Sequence, residues 1–175
     1  MATETTDPTE TLLSLLEPVA RRVAAGKPED QTDETQAAAL ASALEAEFPF
    51  SGATIRAIAD EVRRGVAEGW LCTRGEPSAR FSRVAKAGPA TAQLSVDVVS
   101  LKGPAVRHTH PRGEVTLAFA GPDTAPGQDA GRFDGFAPGW VVMAAGSTHT
   151  PTVTGPQMHL LYFLPDGAVQ WHAAS

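Results

Sequence analysis

Along the chain, hydrophobic and polar positions fall into two textures. Over the first seventy residues the apolar positions recur at helical spacing. Leu12, Leu16, Val19 and Val23 form one stripe, Leu40, Leu44 and Phe48 a second, and Ile55, Ala59, Val62 and Val66 a third. Asp7-Pro8-Thr9-Glu10 supplies a capping acceptor, a proline at the first helical position and a glutamate that can reach back. Gly26 and Pro28 end that segment, and Pro18 inside it predicts a kink or two short helices. Asp33 with Gln36 opens the second helix and Pro49 stops it, while the third ends at Gly69. Three short amphipathic helices cannot bury their stripes alone, so they must pack on each other and on the rest of the chain.

After Gly69 the apolar runs become short and β-branched, divided by Gly, Pro and Asp. They predict strands over 70–73, 80–86, 93–101, 114–120, 132–136, 140–144, 151–154, 158–164 and 169–172. That spacing indicates an antiparallel sandwich or barrel. The expected organisation is mainly β: a disordered tail over 1–8, a helical region over 9–69 and a β-barrel over 70–175. In 114–120, Val115, Leu117 and Phe119 alternate with Glu114, Thr116 and Ala118. Such alternation suits a barrel with a wet or functional interior whose outside is also covered. In 158–164 both faces are apolar except at His159 and Tyr162. The helices and a second subunit are expected to cover the outer face, giving a homodimer.

Composition narrows the functional classes. Hydrophobic residues are 42% of 175, enough for a core without disulfides. The net charge of −6 and the absence of basic runs argue against nucleic acid and anionic membranes as partners. The acidic residues of the helical region (Glu29, Asp30, Asp33, Glu34, Glu45, Glu47) point the same way. No stretch approaches the ~18 apolar residues of a membrane span. The acidic, Thr-rich start does not read as a signal peptide. Cys72 stands alone, which fits a reducing, cytoplasmic compartment. It reads as a small core residue, having no basic neighbour in sequence.

The candidate chemistry lies in the histidines. On a strand, His108 and His110 share a face, and Glu114 has the same parity across Pro111-Arg112-Gly113. Two imidazoles and a carboxylate form a facial donor set for a divalent first-row metal, at ligand distances of ~2.0–2.2 Å. Gly103, His108, His110, Glu114 and Gly121 are spaced much as in the first cupin motif. Gly139-Trp140-Val141-Val142-Met143-Ala144-Ala145-Gly146-Ser147-Thr148-His149 resembles the second, departing at Trp140 and Ala144. The resemblance implies a single cupin barrel (a double-stranded β-helix or jelly roll) and a metal set of His108, His110, Glu114 and His149. Iron, manganese, zinc, nickel and cobalt all suit that set. His159 is expected to act from a buried, supporting position, and His172 to be exposed.

A closer resemblance rests on longer blocks. They are Gly65-Val66-Ala67-Glu68-Gly69-Trp70-Leu71-Cys72, Ser95-Val96-Asp97-Val98-Val99, His110-Pro111-Arg112-Gly113-Glu114 and Arg132-Phe133-Asp134-Gly135. Further along the chain come Gly146-Ser147-Thr148-His149-Thr150-Pro151-Thr152-Val153 and Leu161-Tyr162-Phe163-Leu164-Pro165-Asp166-Gly167. With the helical prefix, these blocks resemble the 4-hydroxylaminobenzoate lyases of nitroaromatic breakdown. The resemblance implies conversion of 4-hydroxylaminobenzoate and water to 3,4-dihydroxybenzoate (protocatechuate) and ammonia, with Glu114 and His159 as catalytic candidates. A flat aromatic carboxylate needs an apolar wall and a cation. Trp140 and Tyr162 are the candidate walls. Arg83 is the candidate clamp, with Arg107 and Arg112 as competitors. The rival readings are another cupin enzyme, such as a metal-dependent aromatic-ring dioxygenase or an isomerase, and a non-catalytic small-molecule-binding cupin.

Overall fold

A computed structural model describes residues 7–173. Among these residues are three α-helices, α1 (Pro8–Ala25), α2 (Glu34–Glu47) and α3 (Ala53–Glu68). Ten strands come after them: β1 (Arg74–Glu76), β2 (Ala79–Ala85), β3 (Leu94–Pro104), β4 (His108–His110) and β5 (Glu114–Ala120), then β6 (Arg132–Phe133), β7 (Gly139–Met143), β8 (Ser147–His149), β9 (Thr152–Pro165) and β10 (Gln170–Trp171). Of the tail expected over 1–8, residues 1–6 lie outside the described residues. Asp7 caps α1 by accepting from the Thr9 amide, and Pro8 already belongs to the helix. Asp33 caps α2 through the Gln36 amide in the same way.

The helix containing Pro18 runs without a break. Pro18 is on the solvent side, as is Ser14 one turn before it, so the carbonyl that loses its amide partner can be hydrated. A second difference lies just after α3. The stretch 70–73 is not a strand, because it caps the helix. Gly69 is left-handed at φ +82°, and the amides of Gly69, Trp70 and Leu71 all bond the Gly65 carbonyl. Cys72 comes next at φ +55°, buried, with its thiol 3.7 Å from the Val98 carbonyl. Burial pushes that thiol up to about 11, so it stays protonated at neutral pH.

The larger sheet has the order β1-β2-β3-β9-β5-β7, all antiparallel, with β6 also pairing to β9. The strands expected over 151–154 and 158–164 are one continuous β9. Gly155 and Pro156 read as a break in sequence, yet β6 pairs across the first part of β9 and β3 along both parts. A second sheet of three strands has the order β10-β4-β8. The fold is a small, mainly β, cupin-like sandwich behind a helical region.

Strand alternation divides the core in two. Val96, Val98, Val115, Leu117, Leu161 and Phe163 face the helices and pack with Leu12, Leu16, Val19, Leu44, Ile55, Ile58 and Val62. Each such buried side chain is worth about 1.5–3 kcal/mol over leaving it exposed. Leu101, Ala118, Phe133, Val141, Met158, Leu160, Tyr162 and Leu164 form the interior cluster on the opposite face. The doubly apolar pattern of β5 and β9 is therefore satisfied within one chain: the helices cover the outer face. No helix among the described residues is long and apolar enough to cross a membrane.

Candidate metal centre

Two three-residue strands build the centre. In β4, alternation sends His108 and His110 to one face and Thr109 to the other. β8 runs antiparallel to it, with His149 opposite His108 and Ser147 opposite His110. On the reverse face the Thr109 hydroxyl lies 2.6 Å from that of Thr148 and 2.7 Å from His172 Nε2, tying all three strands together. Glu114 opens β5 after the turn over 111–113. Gly113 makes that turn possible. It sits at φ +77°, and a Cβ there would lie 2.8 Å from the Pro28 carbonyl oxygen and 3.1 Å from that of Met143.

The donor atoms converge. His110 Nε2 is 3.0 Å from His108 Nε2, 2.9 Å from His149 Nε2 and 3.2 Å from Glu114 Oε2. The outer nitrogens decide the protonation. His108 Nδ1 lies 2.8 Å from the Val106 carbonyl, which only accepts, so Nδ1 carries the proton. His149 Nδ1 donates to Asp134 Oδ2 at 2.5 Å. Neutral His108 and His149 thus present lone pairs at Nε2, facing the one nitrogen of His110 and a carboxylate oxygen. His110 can supply at most one proton there when neutral, and its Nδ1 is buried without a partner. A divalent cation would satisfy these lone pairs together. Nitrogens ~2.1 Å from a common centre and ~90° apart are separated by about 3.0 Å, in keeping with the measured spacings. The three histidines could hold a metal ion.

Electrostatics agree with that role. Burial, reinforced by His108 and His149, holds the His110 imidazole down to about 3, and burial lowers His108 as well. The ligands are therefore neutral, as coordination requires. Burial pushes the Glu114 carboxyl up to about 7, against the Thr116 hydroxyl that donates to Oε1 at 2.8 Å.

Asp134 is a site residue that the sequence pattern does not single out. It sits at φ +48° in the turn after β6. Its Oδ1 accepts from the Thr152 amide at 2.7 Å while Oδ2 holds His149. The available signal was Phe133-Asp134-Gly135, a turn sequence whose Asp tolerates the left-handed region.

Two of the expected site residues are elsewhere. Trp140 pairs with Leu117 on the helix-facing side, and its indole donates to the Phe48 carbonyl at 2.9 Å. It packs beneath α2 and is not a wall of the centre, because odd-numbered β5 residues and their partners face the helices. His159 is likewise opposite Phe119, on the face turned away from the metal donors. Tyr162 does lie inside, between Asp97 on β3 and Thr116 on β5, with its ring 6.2 Å from that of Phe133. Burial pushes its hydroxyl well above the ordinary phenol range. Arg83 continues this row on β2, opposite Asp97, to which Nε and Nη2 donate at 2.9 and 3.4 Å. Arg112 is engaged by Asp166 at 2.6 Å and Glu29 at 3.8 Å. Arg107 is exposed, and its carbonyl accepts from the His172 amide.

His159 has a measurable consequence. It is 2% exposed, its Nε2 is without a partner, and burial holds its pKa down to about 4 from 6.5. The unfolded chain binds this proton first, so the contribution to stability is complete above pH 6.5 and lost as pH falls from 6.5 towards 4. Denaturant unfolding of wild type and His159→Leu across this range should show wild type losing up to about 3 kcal/mol relative to the variant.

A cupin-like sandwich whose short strands gather three imidazoles able to hold a metal ion is the class of protein defined by this fold and site. Within that class, the model of the 4-hydroxylaminobenzoate lyase family (PnbB) matches residues 27–171. The chain belongs to that family. A search of curated proteins finds no match.

Proposed function

We propose that this protein converts 4-hydroxylaminobenzoate and water to 3,4-dihydroxybenzoate and ammonia, using a divalent metal held by His108, His110, His149 and Glu114. The observation carrying this reading is the convergence of those donors on His110 Nε2, in a chain of the lyase family. When bound, the metal would supply Lewis-acid polarisation of the hydroxylamine oxygen or of water. The chain's own groups handle protons and orientation. Glu114, with its carboxyl near 7, can carry the proton that departing hydroxide requires. As the N–O bond breaks, the aromatic ring supplies electron density to nitrogen and becomes electrophilic at the adjacent carbon. Water adds there, a second water hydrolyses the imine to release ammonia, and loss of the ring proton restores aromaticity. One water is lost and two are consumed, so the sum needs no oxidant.

In this reading Tyr162 lines the interior beside Glu114, and the guanidinium of Arg83, braced by Asp97, receives the substrate carboxylate. Cytoplasmic location is part of the proposal, supported by a buried, unpaired thiol. So is a homodimer, for which exposed Phe81, Val106 and Phe136 supply apolar surface.

The test is an anaerobic assay of metal-analysed protein that follows ammonium and 3,4-dihydroxybenzoate together. Equal amounts of both are expected. Failure under anaerobic conditions, with oxygen consumed on an aromatic substrate when air is admitted, would replace the lyase by a ring dioxygenase.

A further inference from the structure

Trp140 lies beneath α2, which leaves open what meets the flat face of an aromatic ligand. A different tryptophan stands beside the metal donors. β10 pairs with β4 so that Trp171 is directly opposite His108. The two rings meet edgewise with centroids 4.9 Å apart at 63°. Trp171 is nevertheless 66% exposed, the most exposed of the large apolar residues described. An indole left mostly in water gives up much of the stabilisation that burial would provide, and here it borders a polar centre.

Its position is built. The next residue, His172, bonds Thr109 from the reverse face of β4 at 2.7 Å. The His172 amide bonds the Arg107 carbonyl at 3.1 Å. The two-residue strand is thereby anchored to β4, and the indole is held next to a ligand side chain. Tyr162 lies within the interior cluster, so Trp171 offers the large, open aromatic surface beside the centre.

We propose that Trp171 is the aromatic wall of the substrate site, a positioning residue on which the ring of a small aromatic carboxylate stacks while its nitrogen substituent faces the histidines. This rests on the lyase reading for the substrate's identity, although not for the stacking itself. Aromatic stacking of this kind corresponds to roughly tenfold in affinity.

Kinetics and a binding titration test it together. Trp171→Ala should raise KM for 4-hydroxylaminobenzoate roughly tenfold with kcat and metal content less affected, and Trp171→Phe should recover most of the loss. Titration with unreactive 4-hydroxybenzoate should quench tryptophan fluorescence in wild type. In Trp171→Phe that quenching should disappear while calorimetry still detects binding, since the other two tryptophans lie in the helical core. Unchanged KM in Trp171→Ala would overturn the assignment, as would quenching that persists in Trp171→Phe or is absent from wild type. A shift of oligomeric state on sedimentation, with KM unchanged, would make the indole an interface residue and overturn it too. If wild type leaves 4-hydroxylaminobenzoate untouched yet shows Trp171-dependent quenching, the reaction is wrong and the wall stands.

Discussion

His110→Ala should leave a folded protein that holds no stoichiometric metal and has lost at least about 10³-fold in turnover. His110 Nε2 is the atom on which the other three donors close. Removing it leaves His108, His149 and Glu114 without their common neighbour. Lewis-acid assistance is worth several kcal/mol, and about 4 kcal/mol corresponds to 10³ in rate. Stability gives an independent readout. In the metal-free wild type the lone pairs of His108 and His149 converge with too few protons between them, so binding a cation should stabilise the folded chain. At a metal concentration of ~100 times Kd the gain is about 2.7 kcal/mol, or several degrees in Tm for a chain of this size. Chelation should therefore lower the Tm of wild type and leave that of His110→Ala unmoved. Equal metal content and equal turnover in the two proteins would remove the metal from the reaction.

Asp134→Asn should weaken metal binding about 10–100-fold while the fold persists. The carboxylate does two jobs at once, holding the Nδ1 proton of His149 and accepting the Thr152 amide. Asparagine is the replacement that best tolerates φ +48° and keeps one accepting oxygen. It is uncharged, so it no longer raises the basicity of the imidazole, and its amide can turn a donor towards Nδ1. Nε2 would then carry the proton, and the lone pair would point away from the centre. Competition against a chelator of known affinity measures the change, with thermal unfolding as the control. Full affinity in Asp134→Asn would reduce Asp134 to a turn residue.

The fold and the centre were legible in sequence to different depths, for identifiable reasons. The helices were readable because their signals are local. Asp7 and Asp33 cap, Gly69 terminates, and stripes such as Ile55 to Val62 repeat within a few turns. The alternation of Val115, Leu117 and Phe119 with Glu114, Thr116 and Ala118 likewise determined the two faces of β5, because strand period is a property of the backbone. The ligand spacing His108-x-His110 belongs to the same class of local fact. Two three-residue strands, β4 and β8, carry no apolar repeat, and they exist because each pairs with the other and ties down histidine-bearing backbone. Local punctuation also misled where distant partners overrode it. Pro18 stays helical because water can reach the carbonyl it frees, and Gly155-Pro156 is spanned by β6 and β3.

Residue type alone could not assign Trp140, His159, Asp134 or Trp171. Trp140 and His159 have the composition of site residues, but strand register turns both to the helix-facing side. Asp134 and Trp171 read as a turn residue and a terminal strand residue until pairing placed one behind His149 and the other beside His108. Sequence by itself determined the element types, the division of faces and the kinds of donor available. Only the tertiary structure decided which donors meet, because a shift of one residue in register exchanges every side chain between the interior and the helical side.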